Sequence, residues 1–94
     1  MIQFEKIKAV AKITLNRPEK YNSFVKEMAL QLQNKLDDCS QDETIRSIMI
    51  TGSGKAFCAG QDLKEAIDPE GPGIEEIVRE NYNPIIKRIR LIEK

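Results

Sequence analysis

The chain contains no histidine. Within these 94 residues that absence excludes serine–histidine and cysteine–histidine nucleophile pairs and any histidine-bearing metal site. Only two cysteines occur, Cys39 and Cys58, far apart and without metal-ligand spacing. No run of about 18 apolar residues is present, so no transmembrane helix is expected. The start, Met1-Ile2-Gln3-Phe4-Glu5-Lys6, lacks the charged and apolar regions of a secretory leader. Neither charge is in excess, since 15 basic residues balance 15 acidic ones. A nucleic-acid-binding face normally requires a basic surplus. These absences predict a reduced, cytoplasmic protein with no nucleic-acid or membrane partner and no metal. A small local basic site for a phosphate remains compatible with them.

What is present is an ordinary globular mixture, 40% hydrophobic and 32% charged. A chain of this length is enough for one small domain, with little stability to spare. Ile7, Ala9, Ala11, Ile13 and Leu15 alternate with mostly polar neighbours, the period of a half-buried strand. A short strand from Ile2 to Lys6 is expected to pair with it as a hairpin. Pro18, within Asn16-Arg17-Pro18-Glu19-Lys20, ends the ladder. Val25, Met28, Ala29, Leu32 and Leu36 recur at spacings of three and four. They predict a helix over about 23–39, capped by Asn22 or Ser23.

Ile45 to Thr51 reads as a strand whose apolar centre, Ile48-Met49-Ile50, predicts cover on both faces, as in a parallel sheet. Asp62 is placed to cap a short helix beginning at Leu63. Asp68 to Gly73 is a turn-rich loop. Ile74, Ile77, Val78, Tyr82, Ile85, Ile89 and Ile92 form a helical apolar stripe. Pro84 lies within it and predicts a kink, or two helices meeting, near Asn83.

The segment richest in chemical implication is Gly54-Lys55-Ala56-Phe57-Cys58-Ala59-Gly60-Gln61-Asp62-Leu63. It is a strand end, then small residues, then a capped helix start. Backbone N–H groups at such a place lack intrahelical partners and suit an oxygen gaining negative charge. Gly60 allows close approach of a ligand to the backbone. The alternative reading is a turn that only connects strand to helix. Other motifs fail. Gly52-Ser53-Gly54-Lys55 is followed by Ala56 rather than serine or threonine and lacks the first glycine of a phosphate-binding loop. Asp37-Asp38 and Glu75-Glu76 are helical neighbours that do not face one another. Cys58 has no base in the chain and reads as a small packed thiol.

This segment resembles the signature around the first oxyanion donor of the crotonase (enoyl-CoA hydratase/isomerase) superfamily. Leu15-Asn16-Arg17-Pro18, with Asn22 downstream, resembles that family's first turn, and the two segments stand in the right order and at a fitting distance. The resemblance implies an α/β fold, the crotonase-like (ClpP/crotonase) spiral of ββα units, of which 94 residues make about the N-terminal third. It implies that the backbone N–H of Gln61 is the first oxyanion donor. Ala59 would line the adenine pocket, and Gly60, Gln61, Asp62, Leu63 and Lys64 would border coenzyme A. Lys20 and Tyr21 fall where the family contacts CoA phosphates or pantetheine.

Cys58 to Leu63, Asp68-Pro69, Gly71-Pro72 and Tyr82-Asn83-Pro84 are similar to the ring-1,2-epoxyphenylacetyl-CoA isomerase branch. The implied activity is isomerisation or hydration of an acyl-CoA thioester, with CoA as part of the substrate and no separate cofactor. Family members form trimers or hexamers, so self-association is expected. The glycine-rich helix start carrying the second oxyanion N–H, and the acid/base carboxylates, have no counterpart in 1–94. The isolated chain is therefore expected to be inactive. A non-catalytic acyl-CoA-binding module and a structural or assembly piece are the alternatives.

Overall fold

A computed structural model describes all of residues 1–94. Strands β1 (Ile2–Ile7) and β2 (Val10–Leu15) form an antiparallel hairpin with Ile7 opposite Val10. Its two-residue turn is Lys8-Ala9, and Lys8 adopts a left-handed φ of 55°. The hairpin therefore turns inside the run from Ile7 to Leu15, later than the break expected after Lys6. Ile7 ends β1 and is exposed, whereas Ala11, Ile13 and Leu15 of β2 are buried. Alternation was right for the buried residues but was extended across the turn.

Helix α1 (Lys26–Gln41) carries the chain across to β3 (Ser47–Gly52), which pairs parallel to β2 in the sheet order β1-β2-β3. Met28, Ala29, Leu32, Leu36 and Cys39 of α1 pack on the inner face of β2. This is the main core, and burial of each leucine-sized side chain there stabilises by roughly 1.5–3 kcal/mol. The opposite face of the sheet is open. Met49 in β3 is 45% exposed, so the Ile48-Met49-Ile50 run is covered on one side only within this chain. The molecule measures 15 Å along its shortest axis, the depth of one sheet and one helix layer.

The last third is a nearly continuous helical segment: α3 (Gly73–Ile77), a π-helical turn (Val78–Tyr82) and α4 (Asn83–Leu91). Pro84 explains the interruption. It has no N–H to give the carbonyl of Glu80, four residues earlier. The backbone instead widens, with Asn83 N–H bonding to Val78 C=O. The freed carbonyl of Glu80, and that of Asn81 beside it, accept from the side-chain amide of Gln33 on α1, at 2.9 and 3.1 Å. Gln33 is buried for that reason. The widened turn shifts the inward stripe, so Ile77, Asn81 and Ile85 are buried while Ile74, Val78 and Ile89 are exposed.

Candidate functional site

The loop after β2 is held by Asn22, which is fully buried. Its Oδ1 accepts the Arg17 N–H at 2.7 Å. Its Nδ2 donates to the carbonyls of Ser53 and Ala56 at 2.9 and 2.8 Å. Tyr21 and Asn22 both lie in the left-handed region, with φ of 52° and 59°. Asparagine tolerates that conformation better than most residues. Asn22 is thus the tie between two loops and not a helix cap. Helix α1 begins at Lys26, later than residue 23, and its N-cap position is Val25, which offers no side-chain acceptor. The acceptor comes from elsewhere in the chain: Glu65 Oε2 takes the Lys26 N–H at 3.0 Å. Ser23 is engaged by Arg17 instead, through Nη1 to its carbonyl and its hydroxyl.

After β3 the chain doubles back across Gly52. A Cβ on Gly52 would stand 2.6 Å from the carbonyl oxygens of Ala56 and Phe57, so only glycine permits this crossing. The returning segment then forms a single parallel bridge between Phe24 and Gln61. Phe24 N–H donates to Gly60 C=O at 2.7 Å, and Asp62 N–H donates to Phe24 C=O at 2.8 Å. Upstream, Ala59 N–H donates to Tyr21 C=O at 3.0 Å. The groups on either side of Gln61 are thereby consumed. The N–H of Gln61 itself faces away from Phe24 and has no hydrogen-bond partner in the chain. Gly60 reaches this arrangement at a φ of 111°, and a Cβ there would meet nothing within 4 Å. Its glycine is required by backbone angle rather than by crowding within the chain.

Asp62 caps helix α2 (Leu63–Ile67), accepting from the N–H groups of Lys64 at 2.9 Å and Glu65 at 3.3 Å. Those two first-turn donors are occupied, whereas the Gln61 amide upstream of the helix is free. Asp62 also pairs with Arg17, Oδ2 to Nη2 at 3.0 Å, with both side chains largely buried. Burial alone would raise the Asp62 pKa, but the Arg17 hydrogen bond, the two backbone N–H groups and the Arg17 charge outweigh it and hold the carboxyl below its ordinary value. A depressed folded-state pKa contributes stability that is present above the ordinary carboxylate range and is lost as pH falls through the folded value. Acid titration of the wild type and of Asp62→Asn should therefore diverge below roughly pH 4, the wild type losing more stability on acidification. Parallel acid-unfolding curves for the two would count against this.

Gln61, Asp62, Leu63, Lys64, Ala59, Lys20 and Ser23 line one open cavity of about 400 Å³. Six of the eight residues expected at a CoA site thus come together. Lys20, Leu63 and Lys64 are exposed at its margin, and the two ammonium groups supply the local positive charge that the overall balance hid. Gly60 and Tyr21 do not line the cavity. Tyr21 is 58% exposed, and its carbonyl holds Ala59. Ser23 was missed because it was weighed only as a cap. Cys58 is a free, half-buried thiol whose Sγ lies 4.0 Å from the Gly60 carbonyl oxygen. No cluster of histidine, cysteine and carboxylate side chains suited to a metal ion is formed.

The sequence pattern of the Enoyl-CoA hydratase/isomerase family matches residues 5–94. A 1,2-epoxyphenylacetyl-CoA isomerase from Escherichia coli K12 is 44% identical over 90 residues, 93% of this chain and 34% of that protein. The solved enoyl-CoA hydratase/isomerase of Pseudoalteromonas atlantica superposes with a TM-score of 0.81 at 29% identity, over 99% of this chain and 36% of that one. An enoyl-CoA hydratase from Mycobacterium marinum gives 0.80 at 27%, over 97% and 43%. The chain spans about a third of the length of the curated relatives it matches. Family pattern, sequence identity and a crotonase-type arrangement of helix and sheet agree: the chain belongs to the enoyl-CoA hydratase/isomerase family.

Proposed function

We propose that this chain forms the coenzyme A side of an acyl-CoA hydratase or isomerase site and supplies its first oxyanion N–H. The observation that carries this reading is the unpaired Gln61 N–H beside the cavity bounded by Lys20, Ala59, Asp62, Leu63 and Lys64. The thioester carbonyl oxygen accepts from that N–H and from a second donor elsewhere in the complete protein. Negative charge develops on the oxygen as a proton leaves the adjacent carbon. A fixed donor at that position is worth about 3–4 kcal/mol. Lys20 and Lys64 attract the phosphates of coenzyme A, which is part of the substrate.

No carboxylate within the chain is placed as the base. Asp62 is committed to Arg17 and the α2 cap, and Glu65 accepts from Lys26 and Gln61. The proton-transferring carboxylate therefore lies elsewhere in the complete protein. The same commitment favours a second reading, an acyl-CoA-binding module without turnover. Similarity to the E. coli isomerase makes a ring-epoxide phenylacetyl-CoA one substrate to try. The two free cysteines suit the reducing cytoplasm.

Calorimetric titration of the chain with 2-enoyl-, 3-enoyl- and ring-epoxide phenylacetyl-CoA, with products followed by mass, tests this directly. Binding without turnover is the expected result. Turnover by the 94 residues would overturn the assignment of the base to another segment, and absence of binding by folded chain would overturn the site. The outer edge of β3 has no strand partner, so the chain should also associate with itself. Sedimentation showing one monomer across a wide concentration range would refute that.

A further inference from the structure

The side chain of Gln61 is held at both ends. Its Oε1 accepts from the Tyr82 hydroxyl. Its Nε2 donates to Glu65 Oε1 and to the Asp62 carbonyl, each at 3.1 Å. The other oxygen of Glu65 accepts the Lys26 N–H at the start of α1. One polar chain thus runs from the π-helical turn through residue 61 to α2 and α1. Tyr82 packs against Phe24, with ring centroids 5.9 Å apart, so the far end of this chain rests on the partner of Gln61 in the backbone bridge.

The polarity of the chain is fixed link by link. Burial, with smaller contributions from Cys58 and Glu65, pushes the Tyr82 pKa up to about 12, so the hydroxyl keeps its proton and donates. The Glu65 carboxylate, which only accepts, turns the NH₂ group toward itself and leaves the Gln61 oxygen to face Tyr82. Rotating the amide by half a turn would set its NH₂ against the hydroxyl and its oxygen against a carboxylate. The peptide unit that carries the Gln61 N–H is held on its carbonyl side by the Phe24 N–H at 2.7 Å, but it follows Gly60, the residue with the least resistance to rotation. A second anchor at residue 61 limits that freedom.

We propose that Tyr82 and Glu65 are positioning residues, acting through the Gln61 side chain to keep the Gln61 N–H aimed into the cavity. This rests on the oxyanion reading only for its catalytic meaning, and the orientation itself is tested without ligand. In ¹⁵N spectra of the full chain, Tyr82→Phe and Gln61→Glu should broaden or split the residue-61 amide signal while the signals of Met28, Ala29 and Leu36 stay in place. The second of these substitutions sets two carboxylates against each other. Adding Glu65→Gln to it restores the order, because the amide at 65 donates to the carboxylate at 61 while its oxygen still accepts from Lys26. The double variant should recover a single sharp signal.

An unchanged residue-61 amide in both single variants, or no recovery in the double, would overturn the proposal. A second arm uses a non-reacting acyl-CoA labelled with ¹³C at the thioester carbonyl. Its infrared stretch should fall in frequency on binding to the wild type, and by less than half as much in the single variants. A wild type that binds no acyl-CoA would remove the oxyanion reading, and the spectra without ligand would still decide whether Tyr82 and Glu65 orient the amide.

Discussion

Replacing Asn22 with alanine should destabilise the chain by about 4 kcal/mol, which is close to the whole stability expected of so small a core. Three groups lose their partner at once: the Arg17 N–H and the carbonyls of Ser53 and Ala56. Each stranded buried group costs about 1–3 kcal/mol. The alanine must also hold a φ of 59°, which suits it less well than asparagine. Only 15 of the 94 residues are buried, so no large reserve offsets the loss. Asn22→Asp separates chemistry from shape. It keeps an acceptor for Arg17 but turns a second oxygen toward two carbonyls, and it should destabilise nearly as much. Urea midpoints for the three proteins decide the matter, and a shift equivalent to under about 1 kcal/mol in both variants would refute the role of Asn22 as a tie.

The second large effect is expected at Gln61. In the complete protein, Gln61→Pro should lower turnover of a CoA thioester by about 10²–10³-fold, the usual consequence of deleting one oxyanion donor. The bridge to Phe24 uses Gly60 C=O and Asp62 N–H, neither of which proline removes, and Gly60 is the residue most tolerant of a following proline. Proline also deletes the side-chain links to Tyr82 and Glu65, so Gln61→Ala is the necessary comparison. Alanine loses those links and keeps the N–H. Turnover equal in the two variants would show that the N–H does no chemistry. A proline variant about 100-fold below alanine, with matching circular dichroism, is the result expected.

The parts of this fold that were legible in the sequence are those that local rules decide. The inward positions of β2, the apolar face of α1 and the Asp62 cap of α2 each follow from spacing or from a side chain acting on its own next turn. The start of α1 was misplaced because its acceptor, Glu65, lies 39 residues away. A polar residue before a helix is weighed as a cap, and nothing local reveals that Asn22 is buried between two loops. Pro84 announced an interruption near Asn83, but the π-helical form depends on Gln33 reaching across from α1. The candidate site was read from its pattern of small residues and from its resemblance to a family. The links from Tyr82 through Gln61 to Glu65 were not, because they join three elements that meet only in the folded chain.

The single bridge between Phe24 and Gln61 also constrains how this segment can vary between relatives. Along extended backbone, successive N–H groups point to opposite sides. Phe24 clasps Gly60 and Asp62, so whichever residue lies between them presents its hydrogen on the side away from Phe24. A residue gained or lost in the loop between the Gly52 crossing and the bridge changes which residue is clasped but not the direction of the freed hydrogen, because the same two bonds to Phe24 leave the N–H between them pointing outward. The donor is thus set by the bridge, and the side chain at position 61 limits only its residual motion.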